Sequence, residues 1–442
     1  MKILISEATI ITMNPAKQVL PTAGLLMDGD RISWLGEMSS LPAIQGEWMQ
    51  IPAKGKVILP GFVNLHTHAA LSILRGIGDD LGVAPAYSPD VPQGVFLSPE
   101  DIYVFSLLGG LEALKFGTTC LVDNYIFEHE AARAFDQLGM RASVSERLHD
   151  ADLLLIPAGK YEFDDARGDE LLERGIELCR AWEGAGNGRI TTRIGPHASD
   201  TCSTKYLKKL AKVSEALNVG QVLHVAQSRR ELEHIRERSG LTVVEYLDQN
   251  GLLGSNLIAG HCVFIDNNEK RLLKSTDTHV SHQSGSNAKG GMMAPIKDLL
   301  DMGVNIGLGT DNMSGDMVEV LRLAVCIARM REDDPQALRA IDVLEMATMG
   351  GARALGLQDE IGSIEVGKKA DIIVMDFNQT HLVPVRDPVA NLVHNGLGSD
   401  VDMVFVDGEL LIKNGQSTRV DEQSILDEAQ ARSNALWKKM GY

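Results

Sequence analysis

Apolar residues along this chain follow two rhythms. Near both ends they form short blocks broken by tight turns; through the middle, apolar runs alternate with segments of helical spacing. Strand candidates lie near 62–68, 118–123, 141–146, 190–196, 220–225, 257–261, 278–282 and 304–311. Helical segments separate most of them. Ser98-Pro99-Glu100-Asp101 opens one, with an N-cap serine, a proline at the first helical position and acid in the first turn. Lys205 to Ala216, Arg230 to Glu237 and Ala294 to Met302 read as others. Eight β/α repeats over about 250 residues are the count of a closed parallel barrel.

The ends are different. Asp28-Gly29, within Gly24 to Ile32, is a hairpin signal. The runs Ala370 to Asp376 and Met403 to Ile412 repeat that style. Neither end has enough strands to bury a core alone. Residues 1–59 and 358–442 are therefore expected to pair into one small β-sandwich with a C-terminal helix, leaving 60–357 as the barrel. A doubly wound open sheet is the competing α/β architecture. The chemistry-bearing residues favour the barrel, because each ends its strand, where a barrel places its active site.

Those residues are His66, His68, His224 and Asp311. The strand Pro60 to His68 ends in two histidines at i and i+2, which share a face. Val222-Leu223-His224-Val225 delivers a third histidine, and Val304 to Asp311 ends in a carboxylate. Three neutral imidazoles and one carboxylate suit a single Zn²⁺ or Fe²⁺ with one position left open for water.

Composition narrows the classes. With 442 residues, 44% of them hydrophobic, the chain can bury a large core and a smaller one beside it. A net charge of −18 without a basic block argues against nucleic acid or an anionic membrane as partner. Apolar stretches break off well before the ~18 residues of a membrane span, and Met1 to Glu7 lacks a signal peptide's apolar region. Five cysteines without paired spacing fit reduced thiols in the cytoplasm. Cys262 reads as a small buried residue, and Gly184 to Gly188 as a loop, since it opens no helix.

The chain resembles the amidohydrolase superfamily, in its branch of heterocycle aminohydrolases that includes adenosylhomocysteine and methylthioadenosine deaminases and triazine hydrolases. The resemblance rests on Leu59 to His68, Arg75-Gly76, Gly117-Thr118-Thr119, Gly195-Pro196-His197, Ala259 to Val263, Gly309-Thr310-Asp311 and the tail Glu360 to Asp371. It implies a barrel plus β-sandwich, metal-activated water, and hydrolysis at an sp² carbon. On it, His66, His68, His224 and Asp311 match the metal ligands. Asp311 also matches the proton acceptor, and His261 the histidine that orients the attacking water or the reacting centre. His197 matches a substrate contact, with capping of the next turn as the alternative. Arg75 and Asp123 face the expected mouth, as substrate contacts or as salt-bridge partners of the scaffold. Binuclear relatives need a lysine on the fourth strand, and Ile190 to Pro196 has none, so one ion is expected, zinc before iron.

The pattern also breaks. The family's deaminases carry His-x-x-Glu on the fifth strand, and here the motif is His224-Val225-Ala226-Gln227. Glutamine hydrogen-bonds but does not titrate near neutral pH, so Gln227 is expected to bind substrate rather than shuttle a proton. Glu231, one helical turn on, reads as part of an exposed helix face, with substitution for the missing glutamate as the alternative. His282 to Asn287 lacks the family's proline, and the 77–97 loop, with Pro85, Pro89 and Pro92, lacks its tryptophan. The expected function is a metal-dependent aminohydrolase of a small nitrogen heterocycle. The alternative is hydrolysis of a halide, thioether or cyclic amide on a triazine- or pyrimidine-like ring. A binding protein without catalysis is a third reading, disfavoured because all four ligands are present. The resemblance also makes a homo-oligomer plausible; the residues themselves add nothing to that.

Overall fold

The computed structural model describes residues 2–80, 87–88, 91–92 and 94–441; Pro85 and Pro89 lie outside them. Its strands are β1 (Lys2–Ile11), β2 (Val19–Asp28), β3 (Arg31–Glu37), β4 (Trp48–Pro52), β5 (Lys56–Pro60), β6 (Phe62–His68), β7 (Thr118–Tyr125), β8 (Arg141–Leu148), β9 (Ile190–Pro196), β10 (Gly220–Val225), β11 (Leu257–His261), β12 (His279–His282), β13 (Ile306–Leu308), β14 (Asp311–Asn312), β15 (Ile372–Asp376), β16 (Val401–Val406), β17 (Glu409–Lys413) and β18 (Gln416–Ser417).

Strands β6 to β13 pair in parallel in chain order, and β14 returns to pair with β6. Because β13 and β14 are two pieces of one segment, the ring closes into a TIM-like barrel. The expected strands are the observed ones, shifted by a residue or two at their ends, except that the eighth is cut in two. Its backbone passes close to β6 at the cut: a Cβ on Gly309 would lie 2.8 Å from the His66 carbonyl oxygen. The Asn64 side chain takes the place of the interrupted ladder. It donates to Thr310 Oγ1 at 2.8 Å and accepts from the Thr310 N–H at 3.1 Å.

Alternation explains what each strand buries. In β10, Val222 joins Leu65, Val122 and Ile258 in an interior cluster, while Leu223 and Val225 face the surrounding helices. His224 has the parity of Val222, so it too points inward, one step nearer the mouth. Helix Pro99–Lys115 opens with the expected Ser98/Asp101 capping box.

The two chain ends form one mixed sheet in the order β18-β17-β16-β15-β5-β1-β2-β3, with β4 paired to β1. Its far edge bends back: Ile32 N–H donates to the Lys368 carbonyl at 2.9 Å and Gly367 N–H to the Ile32 carbonyl at 2.8 Å. The enclosed apolar side holds Ile5, Leu25, Ile32, Ile58, Val374 and Phe405. The hairpin at Asp28-Gly29 is present, with Asp28 paired to Arg31. Only Gly61 separates β5 in this sheet from β6 in the barrel, and a Cβ there would lie 2.1 Å from Thr119 Oγ1. The C-terminal helix Glu422–Lys439 lies against helix Pro99–Lys115 of the barrel, tied by Arg432 to Asp101 at 3.1 Å and by Lys115 to Glu422 at 2.5 Å. Among the described residues no helix is long and apolar enough to cross a membrane.

Candidate active site

The C-terminal ends of the barrel strands bring His66, His68, His224, His261 and Asp311 into one buried cluster. His66 and His68 come from β6, His224 from β10, and His261 from the last position of β11. His261 and Asp311 both adopt left-handed backbone, with φ of 70° and 68°. Non-glycine residues in that region are strained, and strain of this kind gathers at functional sites.

The hydrogen bonds define which nitrogen each imidazole offers. His68 Nδ1–H donates to the Asn124 carbonyl at 2.5 Å, and His224 Nδ1–H to the His197 carbonyl at 2.7 Å. Both Nε2 lone pairs are thereby turned inward, and they face each other at 3.3 Å. Two lone pairs repel at that distance unless a positive charge sits between them. Neither ring nitrogen of His66 has a partner, nor has Nε2 of His261. Asp311 Oδ1 lies 3.5 Å from His68 Nε2 and 3.9 Å from His66 Nε2, while Oδ2 lies 3.9 Å from His261 Nε2.

Burial holds these imidazoles neutral. It is the leading cause that pushes His66 and His224 well below the usual histidine range and His68 down to about 3. Neutral imidazoles with carbonyl-fixed Nδ1–H groups are the form in which histidine binds a metal. The donor chemistry therefore fits a divalent ion.

A cavity of about 530 Å³ opens over the cluster. It is bordered by His68, His197, His224, His261 and Asp311, and by Gln227. Asp311 is the only carboxylate among its described lining residues. His197 does two things: its ring borders the cavity and its carbonyl orients His224, while its Nδ1 meets Thr201 Oγ1 at 3.1 Å.

Arg75 is elsewhere. Its Nε donates to the Met313 carbonyl at 2.7 Å and its guanidinium pairs with Glu112, outside the cavity lining. The pairing makes it a scaffold residue, contrary to the substrate-contact reading. Asp123 likewise braces the scaffold, accepting Ala69 N–H at 2.8 Å, and burial raises its carboxyl to about 7. The exposed-face reading of Glu231 is overturned: it is 1% exposed, because the first turn of helix Arg229–Ser239 tucks beneath the loop that follows β9.

The cavity also gathers residues that the sequence reading passed over. Arg147, near the end of β8, is buried, borders the cavity and lies over the Tyr125 ring at 4.8 Å. Tyr87, Arg230 and Asn287 line it as well. Position at a strand end was the available signal for Arg147. Nothing local marks the others: Arg230 and Asn287 sit in helices that follow barrel strands, and Tyr87 in the segment after β6.

Comparison with known proteins agrees with this geometry. The sequence profile described as the Amidohydrolase family matches residues 57–411. A 5-methylthioadenosine/S-adenosylhomocysteine deaminase of Moorella thermoacetica is 38% identical over 437 residues, covering 98% of this chain and 99% of that protein. A 5'-deoxyadenosine deaminase of Methanosarcina acetivorans is 36% identical over 440 residues, 98% of each chain. Among solved structures, an adenosine deaminase from Xanthomonas campestris with bound zinc superposes with a TM-score of 0.89 at 27% identity, covering 98% of both chains. The zinc complex of atrazine chlorohydrolase from Arthrobacter aurescens shares the fold, with a TM-score of 0.85 at 22% identity over 98% of this chain and 100% of that one.

Proposed function

The chain belongs to the amidohydrolase family and is a hydrolase of carbon–nitrogen bonds other than peptide bonds; within that family we propose that it removes an amino group from an adenosine-like nitrogen heterocycle. The relatives named as nucleoside deaminases, aligned over nearly the whole chain, support the substrate class. The observation that carries the reading is the facing of His68 and His224 Nε2 at 3.3 Å beside the Asp311 carboxylate.

His66, His68, His224 and Asp311 would hold one divalent ion. Three nitrogens and one oxygen suit zinc and iron alike, and the zinc in the adenosine deaminase neighbour supports zinc. The absence of lysine from β9 supports a single ion. Such an ion supplies Lewis acidity and lowers the pKa of water at the site.

The chain's own groups supply the rest. Asp311, the one carboxylate among the described lining residues, accepts the proton of the attacking water and passes it to the leaving nitrogen. His261, with its Nδ1 held 3.0 Å from Asn287 Oδ1, turns Nε2 towards the reacting centre and orients the water. Gln227 and His197 hold the heterocycle. The Gln227 amide donates to a ring nitrogen or accepts from the exocyclic amino group, without titrating.

The lack of a second carboxylate in the described lining favours one further reading, hydrolysis of a halide, thioether or cyclic amide, where the leaving group needs less protonation. Zinc-loaded protein assayed on 5'-deoxyadenosine, S-adenosylhomocysteine and a chlorinated triazine separates the two. Ammonia release from a nucleoside is the expected result; chloride release without ammonia would overturn it. Two finer placements go with the proposal. The enzyme is cytoplasmic, supported by five unpaired cysteines, and residues 60–357 pack as one unit beside a second built from 1–59 and 358–442.

A further inference from the structure

A buried carboxyl outside the cavity joins the two loops that face it. Glu231 lies in the first turn of helix Arg229–Ser239, where its N–H donates to the N-cap Ser228 Oγ at 3.2 Å. Its Oε2 accepts the Gln227 N–H at 2.9 Å, and its Oε1 accepts the Ser199 hydroxyl at 2.7 Å. Gln227 follows Ala226, whose φ of 47° is left-handed, so this stretch is not held by its own backbone preference. Ser199 sits two residues beyond His197, whose carbonyl orients His224. From the same helix, Arg238 donates to the carbonyls of Ser199 at 2.6 Å and Cys202 at 3.0 Å. One rigid helix therefore grips both loops.

We propose that Glu231 is a positioning residue, whose carboxyl fixes Gln227 and the His197 loop at one spacing so that amide and imidazole grip the substrate ring together. This rests on the assignment of Gln227 and His197 to substrate binding. Glu231 itself does not line the cavity, so it touches neither substrate nor water there. Burial, and then the charge of neighbouring Asp200, pushes its carboxyl up to about 8, which fits a group kept for hydrogen bonding. Both contacts survive an amide in its place. Glutamine Oε1 accepts the Gln227 N–H, and Nε2 donates to Ser199 Oγ, since a hydroxyl accepts as well as donates.

The test compares Glu231→Gln and Glu231→Leu in the zinc-loaded full chain. Hydrogen–deuterium exchange is read over 197–202 and 226–229, with KM and kcat for 5'-deoxyadenosine and S-adenosylhomocysteine. Glu231→Leu should exchange faster in both segments and raise KM roughly tenfold to a hundredfold, as an unmet buried donor implies, with a smaller fall in kcat. Glu231→Gln should restore both readouts, and zinc content should stay at the wild-type level. If Glu231→Leu does not fold, Ser199→Ala removes one arm and should loosen only 197–202. Wild-type exchange in Glu231→Leu or Ser199→Ala would overturn the proposal. So would a Glu231→Gln protein as impaired as Glu231→Leu, which would make the carboxyl a proton carrier. A wild type inactive on both nucleosides would refute the functional reading, and the exchange data would still decide the clasp.

Discussion

The barrel buries polar side chains at its mouth and at its seam with the small sheet, on opposite terms. At the seam, Arg141 forks onto Asp371 at 3.0 and 3.2 Å and reaches Asp407 at 2.7 Å. Lys369 adds pairs to Asp407 at 3.4 Å and Asp30 at 2.6 Å. Each of these charges meets an opposite one. At the mouth, His66 has no partner on either ring nitrogen, and His261 has none on Nε2. An unmet buried polar group costs about 1–3 kcal/mol. A fold that pairs the charges at its seam, yet leaves several such groups together at the strand ends, has shaped the mouth for a guest and the seam for itself.

If that contrast is right, the two clusters fail differently. His68→Ala or Asp311→Ala should abolish metal binding and nearly all turnover while the chain stays folded; elemental analysis showing full zinc in His68→Ala would break the comparison. Next in size, His261→Asn should lower kcat by roughly 10²–10⁴-fold with zinc retained, and loss of zinc would make His261 a ligand instead. At the seam, Arg141→Met should cost about 3–5 kcal/mol of stability by stranding Asp371. Urea titration would show it, with kcat per folded molecule near wild type. A seam variant that lost zinc selectively would erase the distinction between the clusters.

Acid should separate them again. The folded-state pKa of His68 is depressed from the ordinary 6.5 to about 3, so the unfolded chain binds its proton first as pH falls. In metal-free protein this contribution is whole above pH 6.5 and drains away from 6.5 towards 3. The urea midpoint of metal-free protein should be lower at pH 5 than at pH 7.5. His68→Phe, which removes the titrating group, should flatten that slope, and an unchanged slope would count against a buried neutral imidazole.

Much of this was legible because short-range pattern and chemistry coincide along the barrel. An apolar run that ends in histidine or aspartate reports both a strand and the end of it that matters, and His66, His68, His224 and Asp311 converge accordingly. Tertiary neighbours decided what was missed. The cut in the eighth strand depends on Asn64, far away in sequence, filling the ladder at Thr310. Arg230-Glu231-Leu232-Glu233 reads locally as a solvated helix face, but Ser199 and the Gln227 backbone claim Glu231 and draw it inside. Arg75 sits beside the first strand's end, yet Glu112 on helix Pro99–Lys115 captures it.

The smallest effect makes the finest test of what the mouth is for. Gln227 borders the cavity, and its amide can offer a substrate one donor and one acceptor but no proton at neutral pH. If the mouth's chemistry runs through Asp311, deleting that amide removes a grip on the ring and leaves the proton path whole. Gln227→Ala should then lose about 1–3 kcal/mol in kcat/KM, far less than Asp311→Ala, with zinc unchanged. Gln227→Glu adds a carboxyl beside Asp311 and should raise ammonia release from aminated rings whose nitrogen needs protonation, while gaining nothing on a halide leaving group. A Gln227→Ala protein as inactive as Asp311→Ala would mean that the amide takes part in the chemistry itself, and the division of labour between one titrating group and its neutral neighbours would have to be redrawn.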